Sequence, residues 1–311
     1  MILSLTLVPL VLLIAGLPIF VVLLATSAIA LSQLADVPAT VLPQAMFGGI
    51  DKFTLLAIPF FIFAGEVMGQ GGVSRRIVDW VLAIFGQVRS ARPLATIGAC
   101  EFFGAVSGSS PATVAAVGRI MYPSLREAGY KEHFSAGLVT ASGAIASVMP
   151  PSIMMVLYGA SAEQSISELF AAGFVPALLL GLAMALYIAW VTHREGIRPT
   201  QTASLRNFIR LTGDAIWALL TPAVILGGIY SGIFSPTESA GVAGVYGVIV
   251  TRFIYREITW KKIAQIALSS VYLTSQILII VAASGVFSWV LTISGLPTQL
   301  VEFIGSVAQI P

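Results

Sequence analysis

Apolar residues run through this chain in stretches of about 20, the length an α-helix needs to cross a hydrocarbon core. Read at that length, the pattern predicts spans near 2–15, 17–34, 53–72, 134–160, 168–191, 214–232, 237–254 and 267–292. Two interruptions break it. Gly104-Ala-Val-Ser-Gly-Ser-Ser-Pro-Ala-Thr-Val-Ala-Ala-Val-Gly118 sets hydroxyl residues and a proline in apolar sequence, and Ser147-Val-Met-Pro-Pro-Ser152 does so again. The first predicts a re-entrant hairpin at about 94–118, the second a broken helix within 134–160. Backbone that leaves the helical ladder at membrane depth must be buried in protein or line a cavity, because lipid offers no hydrogen bonds. Paired breaks of this kind point to a solute or ion site. The predicted fold class is an all-α, polytopic membrane protein.

Composition agrees with that class. Of 311 residues, 57% are hydrophobic and 10% charged, with a mean hydropathy of +0.95. A soluble fold of this make-up would expose large apolar patches. The opening Met1-Ile-Leu-Ser-Leu run has no basic region before it, and its apolar stretch continues past Leu31, so it reads as membrane-spanning structure rather than a signal peptide. The single cysteine, Cys100, excludes a disulfide within the chain, and its apolar flanks suit packing. A net charge of +2 gives no ground for nucleic-acid binding.

The placement of the basic residues yields a topology. They fall in four clusters: Arg75, Arg76, Arg89, Arg92; Arg119, Arg126, Lys131; Arg194, Arg198, Arg206, Arg210; and Arg252, Arg256, Lys261, Lys262. If the hairpin enters and leaves on one side, all of the 16 Lys and Arg except Lys52 share one face. The positive-inside rule makes that face cytoplasmic, with the N-terminus outside. The opposite loops carry Asp36, Asp51, Glu163 and Glu168.

A weak internal repeat is present. Gly72-Val-Ser-Arg-Arg-Ile-Val-Asp-Trp80 aligns without gaps on Gly295-Leu-Pro-Thr-Gln-Leu-Val-Glu-Phe303, and the two copies have opposite predicted topology, as in inverted-repeat transporters. Chance similarity between apolar segments is the competing reading. The repeat divides the chain into a first unit at 1–192, a cytoplasmic linker at 193–213 and an incomplete second unit at 214–311, whose own hairpin and broken helix are expected beyond Pro311. Ile77, Val81, Ile84 and Val88 share one helical face beside arginines, which predicts an interfacial helix.

At the hairpin tip, Ser110 followed by Pro111 reads as an N-cap and a first helical position. The half-helix that starts there would turn unpaired N–H groups and a positive dipole end toward an anionic solute. The preceding arm, Ala95 to Val106, ends in carbonyls that Ser107, Gly108 and Ser109 leave unpaired, and such carbonyls and hydroxyls suit Na⁺. Pro150 and Pro151 lack an N–H, which frees carbonyls near Ala146 and Ser147. Pro151 can open a second half-helix at Ser152. Small residues also pack transmembrane helices closely, but two neighbouring discontinuities that each couple a hydroxyl with proline favour a site.

Other candidates are weaker. Glu66 and Glu101 lie in apolar surroundings, and both are read as lying near the cytoplasmic boundary; Glu238 in Ser235-Pro-Thr-Glu-Ser239 reads as a helix-capping acid. His133 and His193 flank loops, and no Cys/His/carboxylate spacing suits a metal. The chain also lacks a nucleophile elbow and a phosphate-binding Gly-Lys-Ser/Thr loop. No enzyme chemistry is indicated.

Together, Phe47-Gly-Gly-Ile-Asp-Lys-Phe through Gly65, the Gly104–Gly118 segment, Met149-Pro-Pro-Ser-Ile153 with Tyr158-Gly159, and Phe234-Ser-Pro-Thr-Glu-Ser-Ala-Gly241 resemble the large membrane subunit, DctM type, of tripartite ATP-independent periplasmic (TRAP) transporters. The resemblance covers essentially the whole chain. It implies an elevator-type secondary transporter with inverted repeats in the bacterial inner membrane, importing an organic acid such as a C4-dicarboxylate or a sugar acid with Na⁺ as coupling ion and no other cofactor. Implied partners are a small four-helix membrane subunit and a periplasmic solute-binding protein. The implied substrate contacts are Ser109, Ser110, Pro111, Thr113, Pro151 and Ser152, and the implied Na⁺ ligands are Ser107, Gly108, Ser109, Ser147, Met149 and Pro150. The family's second hairpin and its Thr-Pro-Pro-Val-Gly-like segment do not occur in this sequence. Competing readings are an ion-coupled carboxylate carrier that needs no binding protein and a non-transporting fragment.

Overall fold

The computed structural model describes residues 2–33, 38, 40–86, 88, 90–195 and 205–308. Arg89, Arg198 and Asp36, used in the topology argument, lie outside the described residues, as does the middle of the expected linker. Among the described residues all regular structure is helical. Among the described residues, four helical segments are long and apolar enough to cross a membrane: Phe53–Gln70, Ile166–Thr192, Arg206–Tyr230 and Trp260–Ile293.

The chain forms two compact units. One comprises residues 1–53 and 272–311, the other residues 54–271. The first holds α1 (Ile2–Ile14), α2 (Ile19–Ser32), α3 (Val41–Ile50), the second part of α13 (Trp260–Ile293) and α14 (Leu296–Ala308). Its core gathers Leu5, Ala30, Val286 and Val290. Helix α3 has no counterpart in the sequence expectations, where Asp36 and Asp51 marked a loop. Pro43 falls in its first turn, where a missing N–H costs nothing.

The second unit holds the expected hairpin and broken helix. Its elements are α4 (Ala57–Gln70, entered through a 3₁₀ turn at Phe53–Leu56), α5 (Val73–Phe85), α6 (Ala91–Ser107), α7 (Ser110–Glu127), α8 (Glu132–Ile145), α9 (Ile153–Ala162), α10 (Ile166–Glu195), α11 (Leu205–Tyr230), α12 (Pro236–Ile249) and the start of α13. A π-helical turn, Val250–Ile254, follows α12. The segment expected as a linker is helical at both ends, to Glu195 and from Leu205.

Hairpin arm α6 lies at the centre. It contributes Ala95, Ala99, Cys100, Phe103 and Val106 to one apolar core and Ile97 to a second. Twelve of its 17 residues are buried, so the re-entrant arm is enclosed by protein, as its non-helical tip requires at membrane depth. Gly104 allows α8 to approach: a Cβ there would lie 2.7 Å from Ala146 Cβ. Along α12, Ala240, Ala243, Gly244 and Gly247 form a buried small-residue face, and Gly244 and Gly247 meet Phe63 and Met68 of α4.

Helix α5 departs from the interfacial reading. Ile77 and Val81 are 1% and 2% exposed and belong to the unit's core, whereas Ile84 and Val88 are each 47% exposed. The apolar face is used first by the protein, because α6 and α11 pack along it. Trp80 fastens this contact, donating to Thr212 Oγ1 at 3.1 Å and meeting Phe102 edge-on at 5.2 Å. At the other end Arg76 pairs with Glu257 at 2.6 Å and lies 3.7 Å from the Tyr255 ring centroid.

If glycine-level contact between α6 and the end of α8 fixes the hairpin, Gly104→Ala should lower thermal stability in detergent by about 1–3 kcal/mol through overpacking. Gly137→Ala on α8, where nothing lies within 4 Å of the added methyl, should be neutral or stabilising by about 0.5–1 kcal/mol. Equal losses in the two variants would remove the contact's special role.

Candidate functional site

The hairpin turns on Gly108. Its φ of +61° is left-handed, a conformation that glycine adopts without strain, and its N–H caps α6 by donating to the Gly104 carbonyl at 2.7 Å. Helix α7 then starts one residue earlier than the Ser-Pro pattern suggests. Ser109, in extended conformation, is the N-cap, and its Oγ accepts from Ala112 N–H at 3.4 Å. Ser110 and Pro111 are therefore the first two helical positions, where proline forfeits no intrahelical bond.

A closed set of hydroxyls stiffens the tip. Thr113 Oγ1 donates to the Ser109 carbonyl at 2.8 Å and lies 3.1 Å from Ser107 Oγ, and both Ser107 and Thr113 are fully buried. Ser109 and Ser110 are half-buried and Pro111 is exposed. The rim of the α7 N-terminus is thus open while the hydroxyls beneath it are committed to one another.

The second discontinuity follows α8. Ala146, Ser147 and Val148 tighten into successive i→i−3 bonds at 3.2, 3.2 and 2.9 Å, and Met149 N–H returns to the Ile145 carbonyl at 3.0 Å. Pro150 and Pro151 then carry the chain, through a cis peptide, to Ser152, the extended residue before α9. The sequence reading freed the Ser147 carbonyl. In the structure the buried Ser152 hydroxyl donates to it, and the Ser147 hydroxyl donates to the Ala144 carbonyl at 2.6 Å, so each Ser147 oxygen carries one bond and keeps a lone pair.

The two breaks are joined by one backbone hydrogen bond: Ile153 N–H donates to the Gly108 carbonyl at 3.0 Å. They approach closely there, since a Cβ on Gly108 would lie 2.9 Å from the Pro151 carbonyl oxygen. Helix α4 comes as near from another side, with Gly65 packed against Ser107. Sequence reasoning passed over Gly65, although its place at the end of the Phe47–Gly65 run was a signal. The start of α7, the start of α9 and the glycine face of α4 therefore meet around Ser107-Gly108.

The two breaks open carbonyls in different ways. The Ser107 carbonyl loses its helical partner where α6 stops at the left-handed Gly108, and the partner of the Ala146 carbonyl would be the amide of Pro150, which has no N–H. The Ile153 amide, which would have served Met149, is taken by Gly108. Among the described residues no donor reaches the Ser107 or Ala146 carbonyl, although both residues are fully buried. Buried carbonyls without donors are uncommon and call for a ligand or water. Ala146 packs on Gly104, one helical turn back from Ser107. The site thus offers hard oxygen ligands next to two helix N-termini, a combination suited to a small cation and an anionic group together.

The remaining acids take other places. Glu66 accepts from Gln70 at 2.8 Å, four residues from the end of α4. Glu101 does not sit at a helix end. It packs against Gly181, near the middle of the 30-residue α10, and its Oε1 is buried without a partner. Glu238 completes a capping box with Ser235, as its sequence context indicated. Among the described residues, no group of three His, Cys, Asp or Glu side chains could hold a metal ion.

Residues 6–310 match the family described as tripartite ATP-independent periplasmic transporter, DctM component. The chain is 38% identical to the isethionate TRAP transporter permease protein DctMQ of Oleidesulfovibrio alaskensis, over 93% of this chain and 46% of that protein. It is 41% identical to the C4-dicarboxylate TRAP transporter large permease protein DctM of Pseudomonas aeruginosa, over 86% of this chain and 62% of that one. It is 35% identical to the 2,3-diketo-L-gulonate TRAP transporter large permease protein YiaN of Escherichia coli, over 95% and 70%. The chain therefore spans from about half to 70% of the length of these relatives. With the family profile covering nearly all of its residues, this helical membrane chain belongs to the DctM family of TRAP transporter large permease subunits, a family of transporters and not of enzymes.

Proposed function

We propose that this chain is the part of a Na⁺-coupled TRAP importer that carries an organic acid across the bacterial inner membrane, working with a small membrane subunit and a periplasmic binding protein. The observation that carries the reading is the pair of buried, donor-less carbonyls at Ser107 and Ala146 beside two helix N-termini. Leaving a buried carbonyl unpaired costs about 1–3 kcal/mol, which a coordinated cation offsets. On this reading Na⁺ is held by oxygens of Ser107, Gly108, Ser109, Ala146, Ser147 and Met149 around Pro150. The solute's anionic group faces Ser109, Ser110, Pro111 and the Pro151-Ser152 turn, and Thr113 supports them from below. Isethionate, C4-dicarboxylates and 2,3-diketo-L-gulonate, named for three relatives, all carry such a group. Their diversity fits selection of the solute by a delivery protein.

An elevator-type fold with inverted repeats, divided at 1–192, 193–213 and 214–311, is part of the same proposal. Its support is local. Gly72 and Gly295, aligned in sequence, are both left-handed, with φ of 81° and 69°, and each leads into a helix of 13 residues, α5 and α14.

Proline replacement tests the cation site directly. Pro150→Ala supplies an N–H for the Ala146 carbonyl and should weaken Na⁺ binding roughly tenfold, the worth of one hydrogen bond made or lost. Pro111→Ala, at the second position of α7 beyond the Gly108 turn, adds no donor for Ser107 and should leave it unchanged. The readout is the Na⁺ concentration that gives half-maximal thermal stabilisation, with K⁺ as control. An unchanged midpoint in Pro150→Ala would dismiss the Ala146 carbonyl as a ligand.

Gly108→Ala forces a side chain into a left-handed residue against the Pro151 carbonyl and should lower stability by about 1–2 kcal/mol. It should also abolish Na⁺-driven solute uptake into proteoliposomes containing the binding protein and small subunit. Uptake by the unmodified protein that needs neither partner would point to a carrier independent of delivery.

A further inference from the structure

A polar cavity lined by no residue of the hairpin tip belongs to the cytoplasmic face assigned by the basic clusters. It has a volume of about 380 Å³ and is framed by Arg75 at the start of α5, Arg119 on α7 and Lys262 in the first turn of α13. We propose that this cavity binds the phosphate of an anionic membrane phospholipid.

Its charge is one-sided. Among the described residues neither Arg119 nor Lys262 has an acidic partner, and Arg75 reaches Asp79 only at 3.9 Å with its side chain 78% exposed. Glu257 also lines the cavity, but its carboxylate is engaged by Arg76 at 2.6 Å. Three cations thus converge from three helices on a space that holds one neutralised acid. Such basic pockets between transmembrane helices on the cytoplasmic side suit lipid headgroups.

The position in the bilayer selects a lipid over a soluble anion. The cavity lies where α4 ends at Gln70 and α13 begins at Trp260, the boundaries of two helices long enough to span. Trp260, two residues before Lys262, is 56% exposed and meets Phe253, 55% exposed, edge-on at 6.0 Å, and Arg252 lies 5.9 Å from the Trp260 ring. Exposed tryptophan and arginine at a helix start mark the headgroup level. Ala116 and Ile120 give the cavity an apolar wall along α7 for the glycerol ester. A headgroup bound there would bridge the second arm of the hairpin to α5 and α13, so the lipid would brace the element that carries the site.

The test is titration of short-chain phosphatidylglycerol into the protein in neutral detergent, with bound lipid counted by native mass spectrometry. Each cation near an anionic headgroup is worth roughly fivefold in affinity, so Arg119→Gln with Lys262→Gln should bind about 25-fold more weakly. The charge-conserving pair Arg119→Lys with Lys262→Arg should bind like the unmodified protein, and Lys52→Gln on the opposite face should change nothing. If the double glutamine variant does not fold, the two single variants should each show the fivefold loss. Affinity unchanged by these replacements would overturn the proposal. So would equal binding of phosphatidylcholine, or displacement of the lipid by inorganic phosphate at similar concentration, which would assign the cavity to a soluble anion.

Discussion

In lipid, every backbone N–H and C=O must find its partner within the protein, and this structure is arranged around the two places where a helix stops short of doing so. The bond from Ile153 N–H to the Gly108 carbonyl turns two separate defects into one. The second break supplies a donor to the first, and serine and threonine hydroxyls within a few residues take up part of what remains, leaving the Ser107 and Ala146 carbonyls without donors among the described residues. The packing of α6 on α4, α5, α8 and α10 follows from the need to keep that joint out of lipid. Close approach of Gly65 and Gly104 to their neighbours has the same origin.

Two kinds of polar group meet at the joint, and their magnitudes differ. A helix N-terminus contributes about 0.3–1 kcal/mol to a nearby anion when exposed, and up to about 2 kcal/mol when partly buried. An unpaired buried carbonyl costs about 1–3 kcal/mol until something binds it. The carbonyls therefore dominate the energetics of the tip and the N-termini refine them. On the proposed reading this ordering links the two ligands, since a cation that relieves the carbonyls adds positive charge beside the N-termini that face the solute.

Much of this was legible in the sequence because hydrophobic length and proline position are strong signals in membrane proteins. The long helices at 53–70, 166–192, 206–230 and 260–293, the hairpin and the broken helix lie where apolar runs and Pro111, Pro150 and Pro151 pointed, whereas the expected spans near 2–15, 17–34 and 237–254 are α-helices of 13, 14 and 14 residues. What the sequence left unread depended on contacts between distant residues. Ser109 and Ser110 are equivalent as caps on paper, and the choice between them is made by the Gly108 turn. The Ser152 hydroxyl reaches back five residues to Ser147, a distance that a helix would not allow and only the Pro-Pro corner does. Glu101 was misplaced at a boundary because its neighbour Gly181 lies 80 positions along the chain. Helix α3 was missed because its flanking acids resemble those of a loop, while its packing on α13 at Gly49 and Gly285 is visible only in three dimensions.

Helix α6 contributes to two apolar cores at once, through Phe103 and its neighbours on one side and Ile97 on the other. A flap that swings away from its surroundings must have one free face. This arm is buried over most of its surface, with only Phe102 exposed, and drawing it out would expose both cores for the sake of opening a single tip. The hairpin is mechanically a keystone rather than a door, and any movement that delivers a solute past it must carry the arm together with the helices on both sides.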